Sequence, residues 1–365
     1  MVINGYIGTY TQHSGNGGAR GIYFFSLNTA DGRMEHFRLA ADIPNPSYLA
    51  PAASGKYLYA VNELHEFEGF PGGTVTAFAV DQTSFEIKPL NRQRSGGKGP
   101  CHIALSQYCA QNHVQNCTHN VPQHFAVVSN YSEGAISVFP LCEDGALSEI
   151  SQVIRFEGSG PVRNRQNCSH AHSFTFAPDG SYGLACDLGA DRIMPYTAEN
   201  NALVPMPYFC SAPGSGPRHL VFSPDGKLVY CVNELNSTVD VLSCCKGVLQ
   251  RKQTVSTLPE GCVQVNTTAA IKLSADARFL YVSNRGHDSI AVFAVDKAGL
   301  LQLEAVIPTG GKNPRDFAID SSGQFLLVCN QDSDTLVVFE IDPVHGTLFR
   351  KWEYPVPSGV CVVLM

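Results

Sequence analysis

The chain has one tryptophan, five methionines and only 16% charged residues in 365 positions. No apolar run approaches the roughly 18 residues that a membrane-spanning helix needs, so no helical membrane span is expected. No long segment repeats its apolar residues at the 3.6 period between capping signals, which points away from helices altogether. Basic residues are in deficit: 25 Lys and Arg against 32 Asp and Glu give a net charge of −7. That balance argues against a nucleic-acid surface and requires any basic site to be local. Cys-x-x-Cys is absent, the 13 cysteines are odd in number, and the opening Met1-Val2-Ile3-Asn4-Gly5-Tyr6 lacks the basic and apolar regions of a secretion signal. Reduced core thiols in a cytosolic protein are the expectation.

What the chain has in quantity is turn and strand material: 33 Gly, 22 Pro, 20 Phe and 14 Tyr. Residues 216–242 serve as a ruler. An apolar run at 219–223 meets the turn Ser223-Pro224-Asp225-Gly226, a second run spans 228–232, and Asn233 to Ser237 turns the chain into a third run at 238–242. The first two runs hardly alternate, as strands buried on both faces do, whereas the third alternates Val with Thr or Asp. Laid along the chain, the ruler finds further copies starting at Pro46, Pro100, Ala171, Thr268 and Pro314, each second run ending in Asn or Asp. The segment at 64–73 reads as a loop, and an insert at about 107–123 replaces the turn of the second copy. The seventh copy is split: residues 357–363 form a first strand with nothing after it, while 2–9 and 21–27 have nothing before them. Joined, they close a ring and remove the exposed edges of an open array. The reading is all-β, a seven-bladed β-propeller in one domain, 1–365.

Equivalent positions in a propeller converge on the axis. Alignment on the Pro position puts Ser47, Cys101, His172, Arg218, Ala269, Arg315 and Ser358 in one ring. Beside it lie the residues that follow the second strands, Glu63, Tyr131, Leu188, Glu234, Arg285 and Gln331. Three guanidiniums around one opening of an acidic protein, with His172 and Glu234 between them, suit a small anion. The imidazole and carboxylate add acid/base capacity that a pure anion trap would not need. Residues 158–172 lead into the ring and offer Arg165 and His170 to the same pocket. His170-x-His172 faces one side of a strand, but no third ligand is nearby, so no metal is expected. Cys109, His113, Cys117 and His119 match no standard zinc spacing. Gly15-Asn16-Gly17-Gly18 lacks the Gly-Lys-Ser/Thr ending of a phosphate loop and reads as a hairpin tip. The recurrent Asn62, Asn130, Asn233, Asn284 and Asn330 read as turn-bonding residues.

Gly216-Pro217-Arg218-His219-Leu220-Val221-Phe222-Ser223-Pro224-Asp225-Gly226, then Cys231-Val232-Asn233-Glu234-Leu235-Asn236-Ser237, closely resemble the seven-bladed propeller lactonase family. Gly158-Ser159-Gly160-Pro161, Arg165-Gln166 and His170-Ala171-His172-Ser173 extend the likeness, which covers nearly the whole chain. That family holds bacterial 6-phosphogluconolactonases of the propeller type and a fungal carboxy-cis,cis-muconate cyclase. The resemblance implies a pocket on one face, no metal or organic cofactor, and catalytic roles for His172, Arg218, Glu234 and Arg285. Arg315, His170, Arg165 and Glu63 are then expected to bind substrate. The expected reaction is hydrolysis of 6-phosphoglucono-δ-lactone to 6-phosphogluconate, a step of the pentose phosphate pathway, with a small anionic lactone as partner. Neither nucleic acid nor membrane is expected to bind, and the chain is expected to act as a monomer or weak homo-oligomer. Two departures stand out, the 107–123 insert and Cys168-Ser169 where relatives often carry Gly-Pro. A lactone-closing cycloisomerase and a non-catalytic binding propeller are the alternatives.

Overall fold

Each second strand is a run such as Leu228–Asn233 or Phe325–Asn330 whose residues are almost all buried. Such a strand needs apolar cover on both faces, and the fold supplies it by stacking sheets radially. In the computed structural model, residues 2–12, 18–106, 124–199 and 202–365 are described. Among them are seven antiparallel sheets, each with a four-strand path running outward from the axis. Blade one runs Pro46–Pro51, Tyr57–Asn62, Thr74–Val80, Ile87–Arg94; blade four runs Pro217–Phe222, Leu228–Asn233, Thr238–Cys245, Val248–Ser256. Blade three carries a fifth strand, Phe209–Cys210. The loop expected at 64–73 contains a two-stranded hairpin, Glu66–Phe67 with Phe70–Pro71. The Cys/His insert and the Gly15–Gly17 tip fall outside the described residues.

Blade seven is assembled from the two parts read in the sequence. Gly359–Leu364 pairs antiparallel with Val2–Thr9, which pairs in turn with Gly21–Asn28 and then Met34–Asp42. The seven hydrophobic clusters each straddle a pair of neighbouring blades; one joins Ile7, Phe25 and Val362 of blade seven to Phe325, Leu327 and Val338 of blade six. Three buried tyrosine hydroxyls are satisfied across the same seams: Tyr59, Tyr230 and Tyr281 donate to the carbonyls of Gly145, Gly299 and Gly346 of the next blade, at 2.9, 3.0 and 2.9 Å. Outer strands such as Ile87–Arg94 are largely exposed and charged, which blunts the free sheet edge.

The innermost strands share one irregularity. In blades one, two, three, four and six, the first residue pairs with the Asn or Asp that ends the second strand, the next residue is skipped, and pairing resumes at the third. The skipped residues are Ser47, Cys101, His172, Arg218 and Arg315. In blade five the register breaks between Thr268 and Ile271, leaving Ala269 and Ala270 opposite Ser283. A bulge of this kind re-aims a side chain and twists the strand locally. In blade seven the shift lies between Gly359 and Cys361, so Val360 occupies the bulge. The alignment that placed Ser358 in the ring is therefore out by two. Ser358, at φ 44°, is the turn residue before the strand, equivalent to Asn45 at 40° and Gly216 at 64°.

The Asn residues that end the second strands are fully buried and bind the frame. Asn62 Nδ2 donates to the Pro44 carbonyl (2.7 Å) while its Oδ1 accepts from Thr74 and Thr76. Because no blade has a private core, deleting Gly359–Leu364 is expected to abolish cooperative unfolding rather than merely lower the melting temperature. Thermal circular dichroism checks this; a cooperative transition at the full-length temperature would contradict the shared-core account.

Candidate active site

Seven bulges and seven second-strand ends meet at one mouth. After each Asn or Asp, the chain amide returns to the turn residue of the first strand: Glu234 N donates to the Gly216 carbonyl (2.7 Å), Glu63 N to Asn45 (2.9 Å), Tyr131 N to Gly99 (2.8 Å). This bond sets the second level of the ring directly beside the bulge residues. Tyr10 N makes the same bond to Ser358 (3.2 Å), so Tyr10 is the blade-seven member of that level. Sequence reading missed it because Thr9 stands where other blades have Asn or Asp; its hydroxyl does the frame's work by donating to the Gly21 carbonyl.

Glu234 is the centre of the first cluster. Its Oε2 accepts from Arg218 Nε (2.9 Å) and lies 2.9 Å from Arg285 Nη2, while Arg165 Nη2 binds Oε1. Arg218, on the blade-four bulge, is only 3% exposed, and its Nη1 also donates to the Ala269 carbonyl (2.8 Å). Arg285 donates to the Thr268 carbonyl (2.9 Å). Burial resists ionisation of Glu234, but Arg285 and Arg218, with help from Arg165, outweigh it and hold the carboxyl well below the usual carboxylate range. Three of its roughly four acceptor positions are occupied by guanidiniums. Burial, joined by the neighbouring Arg218 and Arg315, pushes Arg285 down to about 10 against the opposing pull of Glu234.

A second cluster comes from blades six, seven and one. Arg315 Nη2 donates to the Tyr10 hydroxyl (2.7 Å), which donates to Glu63 Oε2 (2.8 Å); Arg315 also lies 3.9 Å from that carboxylate. Taken together, Arg165, Arg218, Arg285 and Arg315 against Glu63 and Glu234 leave the mouth with two surplus positive charges, in a chain whose total is −7.

His172 stands between the clusters, 3.9 Å from Glu234 Oε2 through Nε2 and 3.9 Å from Cys101 Sγ through Nδ1. Burial, reinforced by Arg218, pushes its pKa well below the ordinary 6.5, so the imidazole is neutral. Below it the rings of His219 and His102 follow at 5.2 and 5.3 Å, also kept neutral by burial. Cys101 is buried, with its thiol pushed up by burial and its Sγ 3.3 Å from the His172 carbonyl. His170 does not touch Glu234. Its ring stacks on Tyr131 at 4.3 Å, and its Nδ1 lies 3.0 Å from the Tyr131 carbonyl. Tyr131 in turn presents its hydroxyl to Arg165. Thus His172, Arg218, Glu234, Arg285 and Arg165 converge directly, Arg315 and Glu63 form the facing cluster, and His170 joins through Tyr131. Among the described residues no group of three metal-ligating side chains is found.

Comparison with known proteins agrees with this fold. The family described as "Lactonase, 7-bladed beta-propeller" matches residues 4–364. The chain is 36% identical over 362 residues to a 6-phosphogluconolactonase of Bacillus subtilis, covering 98% of this chain and 97% of that one. It is 34% identical to one from Formosa agariphila, over 97% of each chain. The solved structure of a periplasmic gluconolactonase from Pseudomonas aeruginosa superposes with a TM-score of 0.86 at 34% identity, covering 100% of this chain and 99% of that one. A ring of seven sheets closed by its own terminal strands and likeness along essentially the full length place this chain in the seven-bladed β-propeller lactonase family.

Proposed function

We propose that this lactonase hydrolyses 6-phosphoglucono-δ-lactone to 6-phosphogluconate, in the cytosol and as part of the pentose phosphate pathway. The observation that carries the reading is the surplus of two positive charges around a neutral imidazole. A phosphate monoester brings about −1.5 to −2 charge, which matches that surplus. Arg315 and the partly exposed Arg165 take the phosphate, and Glu63 and His170 bind the sugar hydroxyls. Arg218 and Arg285 face the carbonyl, where negative charge develops as water adds.

His172 is the base in this scheme. Glu234 is unsuited to it, being tied to three guanidiniums and held ionised far below neutral pH; its role is to position Arg218 and Arg285. Neutral His172 takes a proton from the attacking water as the new C–O bond forms. It returns that proton to the ring oxygen as the lactone C–O bond breaks, leaving a hydroxy acid whose carboxyl ionises to solvent. The activity names of the Bacillus and Formosa relatives support this substrate. The Pseudomonas name makes the unphosphorylated lactone the informative competitor.

Arg218→Ala is expected to lower kcat by about 10²–10³, the usual cost of losing one oxyanion donor, with the circular dichroism spectrum retained. Titration of released acid with the purified lactone measures it, and near-normal turnover would remove Arg218 from its role. Carboxymuconate is expected to give no product; its turnover would favour the cycloisomerase instead. The pH dependence follows from His172, whose unprotonated form is active and whose pKa lies below 6.5. Hence kcat/KM should hold as pH falls through 6.5 and decline only below it, and an acid midpoint at or above 6.5 would rule His172 out as the base. A guanidinium-lined mouth repels divalent cations, so EDTA should leave turnover unchanged; inhibition reversed by added metal would overturn the metal-free scheme.

A further inference from the structure

Arg165 comes from a loop rather than from a strand, yet its guanidinium reaches Glu234 beside that of Arg218. The next residue explains how. Gln166 is fully buried, and every hydrogen-bonding group of its side chain has a partner inside the protein. Its Nε2 donates to the Leu188 carbonyl (2.9 Å) and to Asp191 Oδ1 (2.8 Å), while its Oε1 accepts from Val162 N (3.1 Å). The last bond folds the loop on itself, together with Gln166 N to the Val162 carbonyl (2.9 Å) and Gly160 N to the Gln166 carbonyl (2.9 Å).

Asp191 is where the loop meets the blade-four frame. Its Oδ1, which receives Gln166, also accepts from Gly216 N (2.7 Å), and its Oδ2 accepts from Gly214 N (2.7 Å). Gly216 lies two residues before Arg218, and its carbonyl accepts from Glu234 N (2.7 Å). One carboxylate oxygen thus fixes both the loop that carries Arg165 and the turn that leads into Arg218 and receives the Glu234 amide. Asp191 adopts the left-handed conformation, φ 53°, which Asp tolerates better than most residues.

We infer that Gln166 is a positioning residue for Arg165, acting through its bond to Asp191 to set that guanidinium against Glu234. The inference rests on the lactonase reading for its kinetic test. Gln166→Leu is expected to lower kcat/KM for 6-phosphoglucono-δ-lactone on the order of 10–100-fold, as small misplacements of a binding group do. Arg165→Ala should lose a similar factor, and the double variant should lose no more than either single one. A merely structural role for Gln166 predicts instead that the two losses multiply, and unchanged activity in Gln166→Leu would also overturn the proposal.

Gly160→Ala gives an independent route should the Leu variant fold poorly. A Cβ there would stand 2.4 Å from Gln166 Oε1 and displace the carboxamide. The same loss is expected, again absent when Arg165 is already Ala. A crystal structure of Gln166→Leu or Gly160→Ala separates this inference from the choice of substrate. Arg165 should leave Glu234 while Arg218 and Arg285 stay; an Arg165 still within about 4 Å of the carboxylate would refute the inference whatever the enzyme hydrolyses. Failure of the substrate reading shows separately, as a wild-type protein inert toward the lactone.

Discussion

The structure depends on every sheet being covered by its two neighbours. Each hydrophobic cluster is shared between adjacent blades, so a second strand such as Leu228–Asn233 is dry only while the sheets on both sides are in place. Full burial of one Val, Leu, Ile or Phe contributes about 1.5–3 kcal/mol, and the two seams flanking blade four hold six and eight such buried side chains. An open array would forfeit a whole seam at its break. The pairing of Gly359–Leu364 with Val2–Thr9 therefore stabilises blades far from it, and it holds the mouth at the circumference on which the two charged clusters face each other.

Within that frame the bulge converts architecture into chemistry. A regular strand would alternate its side chains strictly, and the skipped residue breaks the alternation at the same place in each blade. Charge then gathers where burial disfavours it. Removing one partner from a buried ion pair commonly costs 3–5 kcal/mol, because the other charge is left without compensation. Glu234 is what makes three neighbouring guanidiniums tolerable, and with one negative charge against three positive ones it leaves them attractive to an anion.

Much of this was legible in the chain. Pro46, Pro100, Pro217 and Pro314 mark first strands because a strand's first residue can do without its N–H, and the Asn-Glu, Asn-Tyr and Asn-Arg pairs mark the second level. Those two signals brought His172, Arg218, Glu234, Arg285 and Arg315 together from sequence positions far apart. They misled at blade seven, where Pro357 lies two residues ahead of the position occupied by proline elsewhere and Gly359 takes the strand's first place. Tyr10 was hidden by the Thr that precedes it. Gln166 shows in the sequence only as part of the Arg165-Gln166 likeness and Asp191 not at all, since their bonds join groups 22 to 25 residues apart and depend on a loop path that only tertiary structure defines. The hairpin at 66–71 is two residues per strand, too short for alternation to register.

The residues that repeat and the residues that differ occupy adjacent positions in every blade. Asparagine, or a stand-in such as Asp187 or Thr9, recurs at the end of the second strand, while the neighbouring bulge holds Ser, Cys, His, Arg, Ala, Arg and Val in turn. Scaffold and charge are thereby uncoupled at single-residue resolution: the frame's requirements are met one position away from the side chain that the bulge re-aims. Such a ring can exchange its complement of charges, one blade at a time, and come to recognise a different molecule while the sheets behind it stay as they were.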